Sequence, residues 1–172
     1  FAKALRINLN YMTAHHWYSI HLASLGRLDE AIKELKIAEE LDPLSPMIHT
    51  YAGIVYSLGA RQYDVAMKEF DKALELDPNF VPAHTGLGDV YLARSMFKEA
   101  LVELEWLLPH LQPLTASGKA EVGCVYARAG RTEEARRILR ECEEASAHER
   151  AEDMNPQALA LIHLKLGDKD RA

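Results

Sequence analysis

Cysteine is scarce in this sequence, with only Cys124 and Cys142 among 172 residues. Two cysteines build no disulfide framework, and they show no metal-ligand spacing. No apolar run approaches the roughly 18 residues of a membrane span. The opening Phe1-Ala-Lys-Ala-Leu-Arg lacks the apolar core and cleavage site of a secretory leader. A cytoplasmic, reducing setting is therefore expected. Positive charge is in deficit too: the formal net charge of −6 repels a phosphate backbone, so no nucleic-acid partner and no membrane partner are expected. Catalytic signatures are missing as well. There is no nucleophile elbow, phosphate loop or His-Glu-x-x-His, and no strand precedes Gly86-Leu87-Gly88. The chain is expected not to be an enzyme and to carry no cofactor. What it does have is 48% apolar and 27% charged residues, the balance of a folded domain.

Those residues recur. Ala31, Ala66, Ala100, Ala135 and Ala172 are spaced by 35, 34, 35 and 37 residues, each in a charged stretch. Leu35, Phe70, Leu104 and Leu139 follow four positions after the first four, and Phe1 fits the same slot. Ala4, Ala38, Ala73, Leu107 and Cys142 come three later. Upstream stand Ala52-Gly53, Leu87-Gly88, Val122-Gly123 and Leu159-Ala160, then Tyr56, Tyr91, Tyr126 and His163. Each unit offers two amphipathic stretches with apolar residues at i, i+3, i+4 and i+7. Glycine is costly inside a helix, so Gly53, Gly88 and Gly123 at matching places imply close helix approach. Asp42-Pro43 and Asp77-Pro78 end two second helices, because proline disfavours helix in the residue before it. The pattern predicts helices at 1–9, 12–25, 28–42, 46–58, 62–77, 81–94, 97–110, 116–129, 132–146 and 156–166. One extra residue falls in the loop around Gly59-Ala60-Arg61-Gln62.

The spacing resembles the tetratricopeptide repeat, a 34-residue unit reading Trp-x₂-Leu-Gly-x₂-Tyr, Ala-x₃-Phe, Pro. The Trp slot departs from it, holding His15, His49, His84, Lys119 and Pro156. The resemblance implies an all-α fold, a right-handed α-solenoid of antiparallel helix hairpins. The chain divides as a single array: a half repeat at 1–11, repeats at 12–45, 46–80, 81–114 and 115–150, and a partial repeat at 151–172. Both ends fall inside a repeat, so a fragment of a longer chain is expected. The sequence also resembles the repeat regions of bacterial multidomain regulators, linked to winged-helix, Ser/Thr kinase or cyclase domains. Ala14-His15-His16-Trp17-Tyr18, Leu41-Asp42-Pro43-Leu44-Ser45-Pro46 and Leu166-Gly167-Asp168-Lys169-Asp170 carry that likeness.

In such arrays the first helices line a concave groove. Stretches 12–25 and 46–58 contain no Asp, Glu, Lys or Arg, whereas 28–42 carries Asp29, Glu30, Lys33, Glu34, Lys36, Glu39, Glu40 and Asp42. The groove candidates are His16, Ile20, Thr50, Ile54, Thr85, Asp89, Cys124 and Gln157. This apolar, hydroxylic lining suits a protein or peptide segment with apolar side chains, extended or helical. The Lys and Asn clamp of chaperone-binding relatives is absent, so that activity is not carried over. The function expected is a protein–protein interaction scaffold. The alternative is a structural module that forms a homo-oligomer through its solenoid ends.

The eight histidines raise a metal site, which is set aside. Ladder members His15, His49 and His84 stand about 10 Å apart by helix stacking, too far to share one ion. Cys142 fills a core slot, and a Cys124–His163 pair requires a contact that nothing in the sequence predicts. Trp17 and Trp106 are large apolar residues with a polar handle, and Trp17 joins either the core or the groove mouth.

Overall fold

The computed structural model describes residues 11–59, 61–110, 116–146 and 156–167. The expected helix at 1–9, all of its half repeat but Tyr11, and residues 147–155 of the charged junction lie outside the described residues. All regular structure among the described residues is helical, which gives the all-α fold expected. None of these helices is long and apolar enough to cross a membrane. The chain forms two compact units, Phe1–Ala93 and Arg94–Ala172.

The first unit contains α1 (Met12–Ser24), α2 (Leu28–Leu41), α3 (Pro46–Ile54), α4 (Tyr63–Leu76) and α5 (Val81–Ala93). Neighbours pack as hairpins, α1 on α2 and α3 on α4, and α5 adds to α4 and α3. The second helices bury one narrow stripe: Ala31, Leu35 and Ala38 on α2, Ala66, Phe70 and Ala73 on α4. The i, i+4, i+7 spacing places each trio on one face, and the charged residues cover the other. One cluster joins Leu22, Ala31, Leu35, Ala52 and Val55. A second joins Ala66, Phe70, Ala73, Ala83, Leu87 and Val90. Phe70, fully buried, lies between α3 and α5, where Gly53 and Gly86 remove the β-carbons that would strike its ring.

Asp42 and Asp77 leave helical geometry as the Asp-Pro pairs require, and each still donates its N–H to the last turn, to Ala38 O at 3.0 Å and Ala73 O at 2.9 Å. The extra residue of the second repeat is absorbed at the end of α3. There the chain widens into a π-turn, Val55–Gly59. A single inserted residue has this effect when tertiary contacts hold both flanks in register.

In the Trp slots of the first two repeats, histidine is buried and pairs with the second helix. His15 Nδ1 meets Glu34 Oε2 at 2.6 Å, and His49 Nδ1 meets Glu69 Oε2 at 2.9 Å. A buried ring nitrogen needs such a partner, since desolvation without one costs about 1–3 kcal/mol.

The second unit contains α6 (Phe97–Leu107), a 3₁₀ turn Leu108–His110, α7 (Ala116–Arg128), α8 (Thr132–Ser146) and α9 (Pro156–Leu166). Its core includes Ala100, Leu107, Ala120, Val122, Val125, Ile138, Leu139, Cys142 and Ile162, so Cys142 takes the core place expected. A β-carbon on Gly123 would stand 2.8 Å from both Ile138 and Ile162. Helices α8 and α9 therefore close on α7 at that glycine.

Candidate functional site: the uncharged face of the first unit

His16 and Ile20 are one helical turn apart on α1, and Thr50 and Ile54 one turn apart on α3, so each pair shares a face. The structure separates the members by burial. His16 and Thr50 are 3% and 2% exposed. They are lined by neighbours of this chain, and the open surface is left to Ile20 and Ile54. These two isoleucines meet across an apolar recess of about 270 Å³, completed by Ala23, Ser24, Val55, Leu58 and Gly59. Leu58 stands 79% exposed at its rim. The π-turn that carries Leu58 alters the direction of this last turn, and the regular helical spacing used above left Leu58 out of the lining.

Trp17, Ile20 and Ser24 follow the i, i+3, i+7 spacing of a single α1 face. Trp17 is exposed, yet it belongs to an aromatic group. The His16 ring stacks on Tyr51 with centroids 4.4 Å apart, and Trp17 lies 4.8 Å from His16 and 5.8 Å from Tyr51. Such contacts hold an exposed indole in place at little further entropic cost. Tyr51 was legible only as a neighbour of Thr50; the stack depends on α1 and α3 lying side by side.

Burial lowers the His16 pKa, because desolvation disfavours the charged ring. Its Nε2 and the Thr50 hydroxyl are buried polar atoms with no hydrogen-bond partner in the described structure. Each such atom costs about 1–3 kcal/mol.

The remaining candidates are placed apart from the recess lining. Thr85 and Asp89 are exposed on α5, and the Thr85 hydroxyl donates to Val81 O at 3.0 Å. Partial desolvation pushes the Asp89 carboxyl above the usual carboxylate range, even though the residue is exposed by area. Cys124 is half-buried on α7 of the second unit, where burial raises its thiol pKa and disfavours a nucleophilic thiolate. Gln157 falls in the first turn of α9, and its side chain lies outside the described residues.

Family models of the tetratricopeptide repeat match residues 57–113 and 125–141. The comparison with curated proteins gives no match. Among solved structures, the chain is similar to YrrB, described as a TPR protein with an unusual peptide-binding site. Identity is 23% and the TM-score 0.73, over 99% of this chain and 84% of that one. It is also similar to PilW, described as a widely conserved type IV pilus biogenesis factor, with 22% identity, a TM-score of 0.77 and coverage of 99% and 77%. MamA from Desulfovibrio magneticus RS-1 shares 22% identity and a TM-score of 0.72, covering 92% and 87%. At these identities the likeness establishes the fold. Residues 57–113 and 125–141 are thus tetratricopeptide repeats, set in an all-α helical-hairpin array of that fold.

Proposed function

We propose that the chain is a protein-interaction scaffold whose first unit captures an apolar segment of a partner protein on α1 and α3. The observation that carries this reading is the Ile20–Ile54–Leu58 recess, set in two helices without a charged side chain. Desolvating a partner's charge against such a surface is costly, whereas burying an apolar side chain there gains about 25 cal/mol per Å². The anchored Trp17 beside it offers a second apolar contact. The likeness to YrrB, a peptide-binding relative of the same fold, supports the reading. In this proposal Thr85 and Asp89 extend the contact along α5, His16 and Thr50 support it from beneath, and Cys124 and Gln157 serve the second unit. No step of this reading calls for catalysis. The repeats are read at 12–45, 46–80, 81–114 and 115–150, within a cytoplasmic multidomain regulator that supplies the effector domain.

A peptide array of uncharged, apolar-anchored sequences and their Asp- or Lys-substituted counterparts tests this, with affinities measured by fluorescence polarisation. The expected result is selective binding of the uncharged set, weakened about tenfold or more by Ile20→Glu with Leu58→Glu while helicity is retained. Equal binding of both sets, no effect of the double substitution, or a concentration-dependent mass with no peptide binding would overturn it.

A further inference from the structure

On the charged side of the first unit, three helices bring a different kind of group together. Glu39 of α2, His49 of α3 and Glu69 of α4 each offer one donor atom, and the three atoms lie within 4.8 Å of one another. His49 is 5% exposed, and its Nδ1 lies 2.9 Å from Glu69 Oε2. On the other side of the ring, Nε2 lies 3.2 Å from the Pro43 carbonyl oxygen. A carbonyl only accepts, so Nε2–H donates to it and Nδ1 is the nitrogen turned toward the carboxylates. In the neutral ring that nitrogen carries a lone pair, and a lone pair facing a carboxylate oxygen calls for a proton or a cation between them. The same arrangement, one ring nitrogen held by a carbonyl and the other directed at acidic oxygens, orients histidines that ligate metals.

We propose that Glu39, His49 and Glu69 bind one divalent cation of the zinc class, which clamps two successive hairpins together. The donor set, one imidazole nitrogen and two carboxylate oxygens, suits such an ion at about 2.0–2.2 Å from each atom. Tightening the triangle to that size requires movement mainly of Glu39, whose side chain is 41% exposed and free to adjust. Lys72 is the resident competitor: its Nζ lies 2.9 Å from Glu69 Oε1 and 3.9 Å from Glu39 Oε1, and it is 47% exposed on a flexible stem. Among the described residues the set is complete at one repeat. The slot of Glu39 holds Leu5 one unit earlier and Leu74 one unit later, so the His15–Glu34 pair has no counterpart to this third donor.

Isothermal titration of the chelator-treated full chain with zinc chloride near neutral pH tests the site. The expected result is one cation bound at micromolar affinity, with a melting temperature that rises with zinc concentration. Glu39→Gln, on the exposed donor, weakens binding about 10- to 100-fold with helicity unchanged. Lys72→Met removes the competing ammonium and tightens it. Absence of one-site binding, or an affinity unchanged from the parent in both Glu39→Gln and Glu69→Gln, overturns the proposal and leaves these carboxylates to Lys72 and His49.

Discussion

The Phe70 ring on α4 lies so close to Gly86 on α5 that a β-carbon built there overlaps it, and a β-carbon on Gly53 of α3 would stand 2.6 Å from the same ring. One side chain thus sets how closely three helices approach. Gly86→Ala must move a fully buried ring, and is expected to cost about 1–3 kcal/mol by overpacking. Chemical denaturation measures it. A variant as stable as the parent would mean that the ring shifts freely, and the tight seam described here would then be wrong.

A left-handed residue recurs in the turn after each first helix: Gly26, Arg61, Ser95, Gly130 and Gly167, with φ of 74°, 50°, 60°, 80° and 86°. Glycine adopts that region without the strain of about 1–2 kcal/mol that other residues bear. Ser95→Gly is expected to stabilise the chain by about 0.5–1 kcal/mol, after the greater freedom of glycine in the unfolded chain is set against it. Thermal melting decides, and a lowered midpoint would show that Ser95 earns its place by another contact.

The Thr50 hydroxyl is buried without a partner. Thr50→Val keeps the shape and removes the unsatisfied group, so a gain of about 1 kcal/mol is expected. Peptide affinity measured on the same variant adds a second readout. A loss of stability would reveal a hydrogen bond to this hydroxyl.

His16 supplies a pH dependence. Its folded pKa is lowered by burial, so the unfolded chain takes up this proton at a higher pH than the folded one. The His16 contribution is neutral well above the ordinary histidine value of 6.5, and destabilises the fold increasingly as pH falls below it. His16→Phe keeps an aromatic ring against Tyr51 and removes the titration. Its stability should decline less between pH 7.5 and pH 5 than that of the parent; parallel curves would contradict the assignment.

Much of the helical framework was legible in the sequence. Observed α2 and α4 fall within a residue of the ends that periodicity and the Asp-Pro pairs predict. The lining of the recess was legible in part. Slot spacing singled out Ile20 and Ile54, which meet in the recess. The same spacing offered His16 and Thr50, which prove to be covered. Leu58 escaped it, because an extra residue read as loop is taken up as a π-turn inside the helix.

The repeat and its helices were determined by the sequence alone, because helix periodicity, proline stops and small-residue slots are local or nearly local signals. Only the tertiary structure decided which residues of an uncharged helix stay open and which acidic groups meet. Burial depends on the neighbouring hairpin. Glu39, His49 and Glu69 lie on three different helices, and no spacing along the chain announces that their side chains converge.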